Sequence, residues 1–285
     1  VSQKVKGKRQ KLVSNNILDQ WIVSLLNKLI DDVTKSLDGY DTVTAISSIS
    51  LFIQDFSTWY IRRSRDRLSE ESDDKNECLD TMYLVLVTIS KLLAPIAPFI
   101  SEEMYKNLTG QESVHLSDWP EPASTSVSYD ILFMMQKVRE IVEVGHGERK
   151  KLNIKLRQPL ARVDISLSGK SLFADTFDET RFQDLFIELM CDELNVKYAS
   201  VDIKQQEEES ITVSFDSTIT PELQAEGDVR ELIRKIQDER KKMGLSPSDV
   251  VSITIEQIPA GFDDEIKRKV GAKSLSQGIF EIRKV

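Results

Sequence analysis

Apolar residues recur along this chain in two periods, and the switch between them near residue 155 divides it. Before that point the steps are three and four, as on one face of a helix. Leu18, Ile22, Leu25, Leu29 and Val33, widened by Trp21 and Ile30, predict a helix from about Asn16 to Leu37. Ser14 or Asn15 would cap it, and Asp38-Gly39 would stop it. Asp41 or Thr42 opens a second helix. Its stripe of Ile49, Ile53, Phe56 and Tyr60, widened by Phe52 and Trp59, should run on to about Arg67. A third carries Leu79, Met82, Leu86, Ile89 and Leu93 and is kinked or ended by Pro95 and Pro98. A short fourth, from about Ile100 to Asn107, finishes before Gly110. SVHLSDWPEP (113–122) has no helical period and reads as an ordered loop with Trp119 as its buried anchor. A fifth helix, about Ser128 to Val144, buries Ile131, Met135, Val138 and Val142. It holds Lys137 and Arg139 off that face and is stopped by Gly145-His146-Gly147.

From there the period falls to two. Val163, Ile165 and Leu167 alternate as in a strand, with Pro159 at its start or edge and Leu156 and Leu160 leading in. A helix around Thr180 to Leu194 follows, then strands at 196–203 and 211–216. Thr220-Pro221 opens a long helix ended by Gly244, with Leu223, Val229, Ile233 and Ile236 inward. A strand at 250–258, a short helix near Asp263 to Lys269 and a last strand at 278–285 complete the pattern. The expected fold is mainly α: an antiparallel helix bundle over 1–150, then a small α+β domain over 151–285. The border is least sharp near Gly147, because the fifth helix can pack on either domain.

Charge sharpens this picture. The 285 residues carry a net charge of −9, but residues 1–67 hold 11 Lys and Arg against 7 Asp and Glu. Met134 to Arg162 holds 8 against 3. An acidic protein with two basic islands suits a charged partner held in one place rather than general coating of nucleic acid. The basic start, residues 1–13, reads as a tether or a functional arm, and no secretory signal follows it. No apolar run approaches the ~20 residues of a membrane span. Cys78 and Cys191 are too far apart for metal-ligand spacing, and they fit a reducing, cytoplasmic setting.

The stretch that gathers the most chemistry is QDFSTWYIRRSRDR (54–67), where a helical stripe feeds into Arg62, Arg63, Arg65 and Arg67. At about 100° per residue these cannot share one face, so some flank the stripe. An arginine held beside an aromatic can fork onto phosphate oxygens or stack on a base. The plain alternative is a surface helix paired to acidic neighbours, but only Asp55 and Asp66 lie in the stretch. A second candidate set is Arg149, Lys150, Lys151, Lys155 and Arg157. A third is Arg234, Arg240, Lys241 and Lys242, on a helix whose own Glu226, Asp228, Glu231, Asp238 and Glu239 favour internal pairing. Catalytic machinery is not in evidence. His115 and His146 have no nucleophile at suitable spacing, there is no phosphate-binding glycine loop, and no metal ligands cluster.

Several blocks together resemble one family. ILDQWIVSLLNKLIDDV (17–33) with WYIRRSRDR (59–67), LLAPIAPFISEEMY (92–105), SVHLSDWPE (113–121), KLNIKLRQPL (151–160) and ITPELQAEGDVRELIRKIQDERKKMGL (219–245) resemble the anticodon-binding region of isoleucyl-tRNA synthetases. The Arg-Arg after Trp-Tyr and the Arg-Gln-Pro-Leu block favour that family over the valyl and leucyl relatives that share its helix-bundle plan. The resemblance implies a C-terminal piece of a larger enzyme. Its partners would be tRNA(Ile) and its own upstream catalytic domain, with no DNA and no membrane involved. His-Ile-Gly-His and Lys-Met-Ser-Lys-Ser, the signatures of that catalytic domain, are missing, so ATP and Mg belong to the parent and no cofactor to this piece. Two cysteines cannot form the four-cysteine zinc module common in bacterial-type members. The Arg-Gln-Pro-Leu block (157–160) and the Ile-Thr-Pro-Glu-Leu helix start (219–223) resemble instead an archaeal and eukaryotic-type branch. The competing class is a helical docking module that binds another domain or a multi-enzyme assembly.

Overall fold

The computed structural model describes residues 14–68, 72–122, 128–169, 179–204, 206–246, 249–259 and 261–285. The basic start and Ser69 to Glu71 of the acidic loop lie outside the described residues. The fold is mainly α with a small α+β part, and the chain divides into two units, 1–136 and 137–285.

In the first unit, α1 (Ile17–Asp38) is capped by Asn16, whose side chain accepts from the N–H of Leu18 at 3.0 Å. Ser14, an expected cap, is buried instead and donates to Asp19 at 2.6 Å. The inner face of α1 carries Leu18, Ile22, Leu26, Leu29 and Val33, so Leu26 takes the place expected of Leu25. Asp41 caps α2 (Thr42–Asp55) as read from the sequence. The helix then widens into one π-helical segment, Phe56–Ile61, and the chain leaves helix after Arg63. This corrects the expected unbroken helix to Arg67.

The π segment has a packing reason. Phe52, Phe56 and Tyr60 are buried at steps of four, which drift about 40° each in an α-helix; the wider turn takes out that drift. Their rings stand nearly parallel, 6.3 and 5.6 Å apart. Ile53, expected inside, faces out.

α3 (Asp73–Leu93), capped by Ser72, buries Cys78, Thr81, Val85, Thr88, Ile89 and Leu92. Of the predicted stripe, Ile89 is buried, Met82, Leu86 and Leu93 are half-buried, and only Leu79 is turned outward. α4 (Pro98–Thr109) ends at Gly110, in the left-handed region at φ 68°. Beyond it, Glu102 of α4 accepts from Ser113 Oγ and from the Val114 N–H, both at 2.9 Å. A short 3₁₀ turn, Val114–Leu116, buries Val114. Val114 is therefore the loop's buried anchor. Trp119 stays 38 % exposed and donates from its indole to Thr34 at 2.9 Å.

α5 (Tyr129–Lys151) runs through the predicted stop. Gly145 lies so close to α6 (Glu179–Leu194) that a Cβ would stand 2.4 Å from Leu194 Cδ2. The glycine serves close packing and does not end the helix. The second unit continues with β1 (Leu160–Ser168), α6, β2 (Val196–Lys204) and β3 (Ser210–Phe215). β1 is central, parallel to β2 and antiparallel to β3. Next come α7 (Pro221–Lys242), β4 (Val251–Ile255), α8 (Asp263–Val270), β5 (Ala272–Gln277) and β6 (Glu281–Lys284). Here β4 is central, parallel to β5 and antiparallel to β6. Val229 and Ile236 of α7 and Ile266 and Val270 of α8 pack on Val251, Ile253 and Ile255.

Candidate nucleic-acid interface

The four arginines after Tyr60 separate into two kinds. Arg67 turns inward: its Nη1 and Nη2 donate to the two carboxylate oxygens of Asp19 at 2.9 and 2.8 Å. Its Nε and Nη2 also grip Asp74 at 2.8 and 2.7 Å. Asp19 further accepts from the buried Tyr60 hydroxyl at 2.6 Å. Burial alone would weaken proton binding at Arg67, but Asp19 and then Asp74 outweigh it and raise the pKa. Burial first, and then Asp19, likewise hold the Tyr60 hydroxyl protonated. Asp74 is lowered by its bond to Arg67. Arg67 therefore ties α1 to the start of α3 and is not presented to solvent. Its acids come from α1 and the start of α3, outside the 54–67 stretch that holds only Asp55 and Asp66.

Arg62 and Arg65 are exposed, and Arg63 is half-buried. Arg62 is oriented by Nε–H donating to Thr58 O at 2.7 Å and lies over the Trp59 ring, 5.7 Å from its centre. A guanidinium fixed in this way presents a defined plane whose chemistry suits an anion or a base face.

The second and third sets share one local geometry. Arg149 is 1 % exposed and donates to the carbonyls of Lys155, Gln158 and Asn195 at 3.1, 2.9 and 2.9 Å. It also lies 5.1 Å from the centre of the Phe215 ring. Burial, with Arg230 nearby, pushes its pKa down to about 10. Arg240, also buried, donates to the carbonyls of Ser246 and Asp249, both at 2.9 Å, and of Val270. In both cases the carbonyls lie six and nine residues on, plus one at the end of the crossover helix, where unpaired carbonyls collect. Both arginines are thus interior clamps and leave the candidate surface. Lys137 leaves it too, buried against Glu140 at 2.9 Å and near Glu209 at 3.8 Å, which corrects its expected place off the buried face.

Around these clamps, Lys150, Lys151, Lys155 and Arg157 are exposed, and Arg139 is half-buried. Lys151 pairs with Glu148 at 2.5 Å and Arg157 with Glu231 at 3.4 Å. In the third set Lys242 pairs with Glu239 at 2.6 Å and Arg234 with Asp238 at 3.4 Å, as the internal-pairing reading expects. Lys241 is exposed.

Comparison with known proteins bears on residues 19–165, which match the family model described as the anticodon-binding domain of tRNA ligase. The chain belongs to this family. The matched residues run from within α1 to within β1 and include the Arg62 to Arg67 segment and the Arg149 to Arg157 turn. Three similar curated proteins carry the name isoleucine–tRNA ligase. That of Dehalococcoides mccartyi strain 195 is 36 % identical over 82 % of this chain and 24 % of its own length. That of Clostridium acetobutylicum is 29 % identical over 92 % and 33 %. That of Streptomyces coelicolor is 42 % identical over 54 % and 15 %. The chain thus spans about a quarter to a third of the first of these relatives.

Among the described residues of this anticodon-binding chain, no group of His, Cys, Asp and Glu is arranged to hold a metal ion. No described helix is long and apolar enough to cross a membrane. One signal in the sequence had gone unread. Glu-Arg-Lys-Lys occurs twice, at 148–151 and 239–242, and both copies close a long helix with the arginine turned in.

Proposed function

We propose that this chain is the C-terminal, tRNA-binding portion of an isoleucyl-tRNA synthetase. An antiparallel helix bundle and the α+β domain after it hold the anticodon limb of tRNA(Ile) in the cytoplasm. An upstream catalytic domain, with its ATP and Mg, attaches isoleucine. The contribution of these residues is positional, since a correctly held substrate reacts more readily than a free one. The observation that carries the reading is that the family match over 19–165 encloses both groups of cations that stay exposed. These are Arg62 and Arg65 in one unit, and Lys150, Lys151, Lys155 and Arg157 in the other. Phosphate contacts from such groups set affinity and register, and fewer base contacts set identity. The name shared by the relatives supports isoleucine over valine or leucine. The archaeal and eukaryotic-type branch rests on the two sequence blocks and two cysteines alone, and the relatives named above are bacterial.

The test is binding to an isoleucine tRNA transcript and to the same transcript with a changed anticodon, each across a salt series. Tighter binding of the cognate form, falling steeply with salt, is expected. Absence of binding to either overturns the reading. Alanine at Arg62 and Arg63 together should weaken both without lowering thermal stability.

A docking role is favoured by one observation. The outer face of α2 leaves Val43 77 %, Leu51 61 %, Ile46 45 % and Ile53 40 % exposed. We read this apolar face as the seat of the parent's catalytic domain. Leu51→Lys should then leave this chain folded and reduce aminoacylation by the full-length parent. Unchanged aminoacylation would remove the docking role.

A further inference from the structure

The second unit repeats itself. A long helix ending in an inward arginine, a central strand, a crossover helix, a parallel strand and an antiparallel strand occur first as α5-β1-α6-β2-β3 and again as α7-β4-α8-β5-β6. The two turns agree bond for bond. Ile154 N–H reaches Arg149 O at 2.9 Å and Leu245 N–H reaches Arg240 O at 3.0 Å. Gln158 N–H reaches Lys155 O at 3.0 Å and Asp249 N–H reaches Ser246 O at 3.1 Å. Asn153 and Gly244 hold the same left-handed position, at φ 56° and 69°.

With the scaffold held constant, the differences between the copies are informative. The later turn is closed on itself: Asp249 accepts from the Ser246 N–H and pairs with Lys284, both at 2.8 Å. In the earlier turn Gln158 reaches across to α7 and donates to Leu223 O at 2.8 Å. It lies so close to Gly227 that a Cβ there would meet its Oε1 at 2.4 Å. Beside it is a cleft of about 250 Å³ between the turn and α7. Ile154 and Ile219 give the cleft apolar walls, while the Asn153 amide and the Asp228 and Glu231 carboxylates give it polar ones. Glycine suffices at the left-handed position, as Gly244 shows, so the Asn153 amide is more than the turn requires. It has no hydrogen-bond partner among the described residues.

We propose that the two halves are copies of one module and that the earlier copy has become a nucleotide site. Its cleft seats one unstacked nucleobase of the bound RNA, with the phosphate on Lys150 and Lys155. Apolar walls suit a ring face, and amide and carboxylate groups suit the N–H donors of base edges. The Asp228 and Glu231 carboxylates disfavour phosphate beside them and leave it to Lys155, which also lines the cleft, and to exposed Lys150. This rests on the tRNA-binding reading above.

The copies supply their own controls. Asn153→Gly and Lys155→Ser install the sister residues of a turn already shown to hold the same backbone, and Lys241→Ser removes one charge from the sister turn. The readout is affinity of the whole chain for an isoleucine tRNA transcript across a salt series. Asn153→Gly should weaken binding roughly ten-fold with the salt slope unchanged, as for a lost base contact. Lys155→Ser should lower the slope by about one, as for a lost phosphate contact. Lys241→Ser should change neither. An Asn153→Gly variant that binds like the parent, or a Lys241→Ser variant that loses as much as Lys155→Ser, overturns the site while leaving RNA binding intact. Failure of the unaltered chain to bind overturns the reading beneath it.

Discussion

Arg67 and Asp19, 48 residues apart, meet in a two-pronged ion pair with both guanidinium nitrogens within 2.9 Å of the carboxylate. Asp19 is 1 % exposed. Removing one partner leaves the other charge buried, so Arg67→Ala or Asp19→Ala should each cost about 3–5 kcal/mol of unfolding free energy. The double variant should cost less than the sum, which denaturant titration of all four forms will show. If Arg67→Ala keeps its stability and loses only RNA affinity, the inward role is wrong.

Two glycines of α5 make opposite predictions. At Gly145 an added methyl runs into the fully buried Leu194, so Gly145→Ala should destabilise by about 1–3 kcal/mol. At Gly147 a methyl meets nothing within 4 Å. Gly147→Ala should stabilise by about 0.4–1 kcal/mol, by narrowing the unfolded ensemble. Thermal melts of the two variants should move in opposite directions.

Arg149 and Arg240 each satisfy three carbonyls. Replacing either with alanine should cost about 2–4 kcal/mol, because several buried acceptors lose their donors together. Lysine should recover only part of this, since a single ammonium lacks the planar fork that reaches separate carbonyls. Equal melting temperatures for Arg149→Lys and the parent would show that charge, not geometry, holds the turn.

Glu102 gives a pH signature. Lys106, and then the Val114 N–H, hold its carboxyl near 2, against an ordinary 4.5. A depressed acid contributes stability that is present above its unfolded pKa and lost as pH falls through the folded one. The stability gap between the parent and Glu102→Gln should therefore be open above pH 4.5 and close as pH falls toward 2. Paired urea titrations across that range measure it. A gap that does not change with pH would remove the ion pair from the account.

The order and kind of most elements were legible because amphipathic periodicity reports burial directly. Its finer errors have physical causes. α3 turns Thr81, Thr88 and Ser90 inward, and Ser90 satisfies its hydroxyl on Val87 O at 2.7 Å, so small polar residues take places the pattern reserved for leucines. β5, reading Ala-Lys-Ser-Leu-Ser-Gln, is an edge strand with little apolar alternation, and pairing with β4 alone defines it. The candidate surface was the least legible part. A charge count treats Arg62 and Arg67 alike, whereas one faces solvent and the other closes on acids from two other helices. Burial of Arg149 and Arg240 was visible only through the repeated Glu-Arg-Lys-Lys.

The π segment at Phe56–Ile61 acts like a single inserted letter in a periodic text. Tyr60 near its end and Arg67 beyond it are in phase with Asp19 only because that letter is there. Deleting exposed Ser57 or Thr58 would leave every side chain of the acid cluster in the sequence. It would turn the following chain by about 100° and carry those partners out of register. Arg67 would then point away from Asp19, and a different side chain would face that buried carboxylate. A one-residue deletion here is therefore a rotation of the surface rather than a shortening of the chain.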